Sequence, residues 1–187
     1  MTDRVGLIDL DGTVADYDKS LTAIMNTLRA PHEPEYKGRN YPDNEEPHIE
    51  ARRKLIQKQP GFWRNLSRHP LGFELVEVLR SIGYELVVLT KGPRSASSAW
   101  AEKCEWREAH LPDAKLIISE DKSLVYGRCL IDDYIPYAEP WLQKRPRGIV
   151  IAVAQPWNAD FRHDRFYRYD GNNLSQIREV LQKAYDR

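Results

Sequence analysis

Asp9 and Asp11 stand one residue apart in Val5-Gly6-Leu7-Ile8-Asp9-Leu10-Asp11-Gly12-Thr13-Val14, where an apolar run ends in two carboxylates followed by Gly and Thr. On an extended segment, residues i and i+2 share a side. The pair therefore sets a nucleophile beside a proton donor, with room for a hard cation between them. Gly12 allows a tight turn just past the carboxylates. An acidic turn that merely ends a strand would look the same, so the pair needs company. Two more apolar runs supply it: Glu85-Leu86-Val87-Val88-Leu89 leads into Thr90, and Arg128-Cys129-Leu130-Ile131 leads into Asp132-Asp133, with Lys122 just upstream. Adjacent carboxylates at the end of a buried strand repel each other unless a cation or a lysine compensates. A hard, oxygen-preferring metal is the natural partner.

The elements that must carry these residues alternate. Apolar strands are predicted near 5–9, 85–90, 115–118, 128–132 and 148–154, and helices near 70–82, 95–107 and 173–185. Strands alternating with helices argue for an α/β fold with a parallel sheet. The 70–82 helix carries Leu71, Leu75, Val78, Leu79 and Ile82 on one face, and Gly83 fits its stop. Ser95 suits the N-cap of the next helix. The last helix buries Leu174, Ile177, Val180 and Leu181. Residues 15–68 break the alternation. There Leu21, Ile24, Met25 and Leu28 stand at i, i+3, i+4 and i+7, an amphipathic helix. A polar, Pro-rich loop or flap follows from Pro31 to Pro47, then a short helix around 49–58.

Composition bounds the partners. The 187 residues suit one domain, or one with a modest insertion. Lys plus Arg and Asp plus Glu both number 28, so zero net charge gives no global case for nucleic acid or an anionic membrane, although a local basic patch is compatible with it. No 18-residue apolar run predicts a membrane span, and the Met1-Thr2-Asp3-Arg4 start has no signal-peptide character. Cys104 and Cys129 read as two buried thiols of a reducing cytosol.

Asp-x-Asp, then Thr, then Lys, then Asp-Asp, in that order from Val5 to about Ala154, resembles the four motifs of the haloacid dehalogenase superfamily of phosphatases. The resemblance implies a Rossmann-like parallel sheet with a small helical cap inserted after the first strand. The core would be 1–14 with 69–187, and the cap 15–68. It implies Asp9 as the nucleophile that forms an aspartyl-phosphate and Asp11 as the acid and base. Thr90 would hydrogen-bond the phosphoryl group. Lys122 would neutralise phosphate charge and orient Asp9. It further implies Mg²⁺, held by Asp9, the backbone carbonyl of Asp11 and Asp133, with Asp132 either paired to Lys122 or reaching the metal through water.

Within the superfamily the chain is similar to the 5′(3′)-deoxyribonucleotidases (the cytosolic type C 5′-nucleotidases). Asp9-Leu10-Asp11-Gly12-Thr13-Val14-Ala15-Asp16-Tyr17 resembles their first motif, D-M-D-G-V-L-A-D-F. Gly61-Phe62-Trp63 before His69-Pro70-Leu71-Gly72, Ala99-Trp100-Ala101-Glu102-Lys103, Asp121-Lys122-Ser123-Leu124-Val125, Leu130-Ile131-Asp132-Asp133 and Ala154-Gln155-Pro156-Trp157-Asn158 are similar to further segments of that family. The likeness places Tyr17 under a nucleobase. Trp63 is either a second stacking ring or cap–core packing, and Phe62 reads as packing. Where the family has Ser-Pro after the Thr, this chain has Lys91-Gly92-Pro93, so Lys91 either contacts substrate or faces solvent. Tyr134 replaces a basic residue after Asp-Asp. His48 and Arg52 read as solvated surface, with phosphate contact the alternative. The expected partner is a small phosphomonoester, first of all a nucleotide, in the cytoplasm, and a homodimer stays open. A polynucleotide 3′ end or a small sugar phosphate is the alternative on the same scaffold. A binding protein that has lost catalysis is the rival of another class.

Overall fold

The computed structural model describes residues 4–38, 46–93 and 96–187. Ser95 and residues 39–45 of the Pro-rich loop lie outside the described residues. The strands are β1 (Val5–Ile8), β2 (Glu85–Thr90), β3 (Lys115–Ile118), β4 (Cys129–Ile131), β5 (Ile149–Val153) and β6 (Phe166–Tyr169). The helices are α1 (Tyr17–Thr27), α2 (Pro47–Gln57), α3 (Pro70–Ile82), α4 (Ser98–His110), α5 (Ile135–Lys144) and α6 (Leu174–Asp186).

One all-parallel sheet runs in the order β3-β2-β1-β4-β5-β6. β1 lies between β2, with Val5 opposite Glu85, and β4, with Gly6 opposite Cys129. Strands covered on both faces read as unbroken apolar runs, and successive residues serve opposite faces. Leu7, Val87, Leu89, Leu130 and Val150 pack on α5 through Ala138, Trp141 and Leu142. Ile8, Val88, Ile131 and Ile151 pack on the other face with Leu75, Val78 and Leu79 of α3 and Ile177 and Leu181 of α6. The result is three layers, helix–sheet–helix. α3 ends where expected, with Gly83 as its left-handed cap at φ +100°.

Two elements have no counterpart in the sequence reading. The pattern of α5 is interrupted by Pro136 and Pro140, the second inside the helix. β6, Phe-Tyr-Arg-Tyr, is only four residues long and half-buried at its middle. It lies at the sheet edge, where one side needs no apolar cover.

The 15–68 segment leaves the end of β1 and returns to α3. Within it, Leu21 and Met25 of α1 join the core, while Ile24 and Leu28 are 37% and 55% exposed. The α1–α2 pair has only one covered face, so half of the predicted apolar stripe borders solvent. Residues up to Gly38 are tied back. Asn26 exchanges two hydrogen bonds with the Tyr36 backbone, at 2.9 and 2.8 Å, and Glu33 accepts both terminal nitrogens of Arg52 at 2.8 Å. Cys129 is buried as expected; Cys104 is only half-buried.

Candidate active site

Asp9, Asp132 and Asp133 stand at the C-terminal ends of strands, where open α/β sheets bind ligands, and Asp11 lies in the turn just beyond β1. Asp9 follows β1, Thr90 closes β2, and Asp132 and Asp133 follow β4. β1 is flanked by β2 and β4, so the three strand ends are adjacent.

Lys122, in a short turn of 3-10 helix at Lys122–Leu124, is fully enclosed. Its ammonium donates to Asp9 Oδ1 at 2.5 Å and to Asp132 Oδ2 at 2.7 Å. Burial alone would lower its pKa, but the Asp132 and Asp9 carboxylates outweigh that and hold it above the ordinary lysine range. Asp132 is pushed up by burial, with Lys122 opposing, and its Oδ1 accepts the Tyr134 N–H at 3.0 Å. Asp132 thus takes the lysine-paired place. Among the described residues the side-chain bond to Asp9 is made at Oδ1 alone.

Asp133 is fixed from several directions. Its Oδ1 accepts the Thr13 hydroxyl at 3.1 Å and its Oδ2 the Trp157 indole N–H at 3.1 Å; Asn158 Nδ2 donates to its carbonyl at 3.0 Å. Gly12 has φ +87°, and a side chain there would begin 2.9 Å from Asp133 Oδ2, so the turn must be glycine on both counts. Asp9, Asp132 and Asp133 each present an oxygen, all within 4.8 Å of one another. Asp11 Oδ1 is buried without a hydrogen-bond partner. The all-oxygen cluster of Asp9, Asp132 and Asp133 fits a hard divalent cation, and the orphaned Asp11 oxygen marks a further polar atom in the same crevice without a protein partner among the described residues.

Asp11 is built differently from Asp9. Burial raises its carboxyl above the ordinary carboxylate range, with Lys103 opposing and the Asp9 charge adding. Lys103 of α4 is a site residue that sequence reasoning missed. It is fully buried, pairs with Asp11 Oδ2, and donates to Thr90 Oγ1 at 3.1 Å and to the Lys91 carbonyl at 2.7 Å. A lysine in an otherwise charged surface helix gives no warning of this. The available signal was its place in the Trp100–Lys103 family segment.

The residue before it, Glu102, is also buried. Its carboxylate accepts the backbone N–H groups of Gly61 at 2.6 Å, Trp63 at 3.0 Å and Arg64 at 3.4 Å. It thereby fixes the turn that carries Phe62 and Trp63. Trp63 stacks on Tyr17, with centroids 5.5 Å apart and planes 20° off parallel, and Phe62 meets both rings edge-on. The Lys103 ammonium lies 4.7 Å from the Trp63 ring centre. Trp63 therefore borders the lysine that pairs with Asp11, with Tyr17 one ring further away, and the two are only 4% and 2% exposed. Lys91 reaches the other side of the site. Its ammonium lies 5.6 Å from the Tyr137 ring centre, and that of Lys122 lies 4.8 Å from the same ring. His48 and Arg52 are not part of this cluster, since both face Glu33, His48 at 3.5 Å.

A parallel sheet with this acidic constellation at its strand ends is the fold of the HAD hydrolases. An HAD hydrolase of family IA, variant 3, from Entamoeba histolytica matches with a TM-score of 0.54 at 12% identity, over 98% of this chain and 100% of that one. An HAD family hydrolase from Deinococcus radiodurans, solved with bound phosphate and sodium, matches at 0.53 and 13% identity, over 97% and 96%. Residues 3–181 match the family described as 5′ nucleotidase, deoxy (Pyrimidine), cytosolic type C protein, and the chain belongs to that family. Among its relatives, the protein named "Putative 5'(3')-deoxyribonucleotidase" in Bordetella pertussis is 30% identical over 82% of this chain and 85% of its own length. The human "5'(3')-deoxyribonucleotidase, cytosolic type" is 26% identical over 68% and 69%. The chain is accordingly a phosphoric monoester hydrolase. No helix among the described residues is long and apolar enough to cross a membrane.

Proposed function

We propose that this hydrolase is a Mg²⁺-dependent 5′(3′)-deoxyribonucleotidase that removes phosphate from nucleoside monophosphates through an aspartyl-phosphate on Asp9. The observation that carries the reading is the contrast between the two carboxylates. Asp9 is held by Lys122 through one oxygen, and among the described residues its other oxygen accepts no hydrogen bond. Asp11 is biased by burial toward its protonated form. That is the division of labour an acid and a nucleophile need.

Asp9 Oδ2 attacks phosphorus in line, and the ester oxygen leaves with the proton of Asp11. Asp11, now a carboxylate beside Lys103, takes a proton from the water that hydrolyses the acyl phosphate. Thr90 and Lys122 hydrogen-bond and neutralise the transferring group. Mg²⁺, held by Asp9, the Asp11 carbonyl and Asp133, would offset phosphate charge at the Asp9 side, with Asp132 acting through Lys122. Tyr17 and Trp63, stacked on each other, nearly buried and tied through their polar edges to Gln57, would back the leaving-group side of the site. Lys91 approaches the phosphate from the opposite side. In this scheme 15–68 is a small cap on a core of 1–14 and 69–187. The name of the human relative supports a cytosolic setting.

Phosphate release is to be measured on nucleoside 5′- and 3′-monophosphates, sugar phosphates and a 3′-phosphorylated oligonucleotide, with Mg²⁺ and with chelator. Release mainly from deoxynucleoside monophosphates, abolished by chelator and by Asp9→Asn, is expected. Preference for the oligonucleotide or a sugar phosphate would overturn the substrate, and release in chelator would overturn the metal.

A further inference from the structure

We infer that a second, non-catalytic site for a nucleoside polyphosphate lies at the opposite end of the sheet, formed by Tyr126, Arg128, Lys144, Arg145 and Arg147. The inference is independent of the phosphatase reading. A cavity of about 470 Å³ opens here between the turn before β4 and the turn joining α5 to β5, a size that suits a small ligand. Four cationic side chains line it, and no acidic residue does so among the described residues. In a chain whose formal charge sums to zero, that is a concentrated positive field.

The cationic turn is built rather than loose. Beneath it, Arg165 donates to the carbonyls of Leu142, Arg145 and Gly148, and the Gly148 N–H donates to the Arg145 carbonyl at 2.9 Å. These bonds occupy the turn's carbonyl oxygens internally and bring a further guanidinium under the pocket. Arg145 donates through Nη1 to the Lys144 carbonyl and keeps a buried Nε with no hydrogen-bond partner, and Arg147 is exposed with no ion pair among the described residues. Lys144 is partly engaged with Ser123 and Asp121. Arg145 and Arg147 are therefore the phosphate-facing cations. Preorganised guanidinium groups pair well with phosphate oxygens. At the rim, the Tyr126 ring is half exposed, and the Arg145 guanidinium carbon lies 5.9 Å from its centre. A flat base can lie on that ring while its phosphates reach the arginines. No carboxylate lines the cavity among the described residues to attack phosphorus, so the ligand would be held and not hydrolysed.

The test is hydrogen exchange on the intact enzyme with a β,γ-methylene nucleoside triphosphate, read separately for peptides covering 125–128 and 144–148. Protection of both segments is expected. Arg147→Glu should weaken it about tenfold in ligand concentration while leaving monophosphate hydrolysis unchanged. Tyr126→Ala should weaken the nucleotide but not inorganic tripolyphosphate. Protection confined to the catalytic segments, or intact in Arg147→Glu, would overturn the site. Equal protection by tripolyphosphate in the wild type would overturn the nucleoside assignment, and tighter binding of a single-stranded oligonucleotide would replace it with a nucleic-acid surface.

Discussion

Replacing Glu102 with alanine should loosen the aromatic turn without touching the carboxylates that do the chemistry. The Glu102 carboxylate accepts two short backbone hydrogen bonds, from Gly61 and Trp63, and a longer one from Arg64. A hydrogen bond to a charged group contributes about 1.5–3 kcal/mol. Arg64 and Asn65 are exposed, so water can reach part of the vacated space, and the lower end applies. Two bonds then give about 3 kcal/mol, which for a chain of this size lowers Tm by about 6–12 °C. Trp63 would lose its fixed position against Tyr17 and Lys103, so KM should rise more than kcat falls. Glu102→Gln retains an acceptor and should recover about half of the Tm loss. Thermal unfolding of the two variants beside wild type decides the matter. A Glu102→Ala protein melting within about 2 °C of wild type would refute the idea that this carboxylate holds the turn.

Lys103→Met removes the cation that orients Asp11 and Thr90. Turnover of a nucleotide should fall about 100-fold, the scale of general acid catalysis, and that of a nitrophenyl phosphate, whose leaving group needs no proton, far less; steady-state kinetics showing equal losses would count against Asp11 as the acid. Gly72→Ala would put a methyl 1.9 Å from the Thr13 carbonyl oxygen. Overpacking against backbone costs about 1–3 kcal/mol or more, and moving Thr13 disturbs Asp133, so denaturant midpoint and activity should fall together. Glu33 is held down to about 2 by Arg52 and the Ala30 N–H. A depressed carboxylate stabilises the fold above its ordinary value of 4.5 and stops doing so as pH falls through about 2. Wild type should therefore melt above Glu33→Gln at neutral pH, with the gap closing between those values; a gap that persists at pH 2 would refute the assignment.

The motif residues were legible because each sits at a strand end, and a parallel strand covered on both sides writes itself as an apolar run. Asp9, Thr90 and Asp132 follow such runs directly. α5 was hidden by its own prolines, and β6 by being a short edge. Lys103 and Glu102 were illegible for a different reason. Their burial depends on tertiary partners, Asp11 and the Gly61–Arg64 turn, far away in sequence. Charged residues on a helix ordinarily mean solvent, and nothing local distinguishes these two from Lys58 or Glu105. The exposure of Ile24 and Leu28 errs in the opposite direction. The 3.6-residue period reported a helix face correctly, but among the described residues the two-helix layer leaves Ile24 and Leu28 without cover.

The place of β1 in the sheet also sets a timetable. Both of its partners, β2 and β4, lie far downstream in the chain, and such non-local pairings form slowly. As the chain is synthesised, the Asp9 strand emerges first yet has nothing to pair with until β2 follows, and Asp9 lacks its lysine until Lys122 has appeared. Asp9 is therefore translated well before the partners that fix it. A truncated product ending before β4 would carry the whole first motif and remain inert.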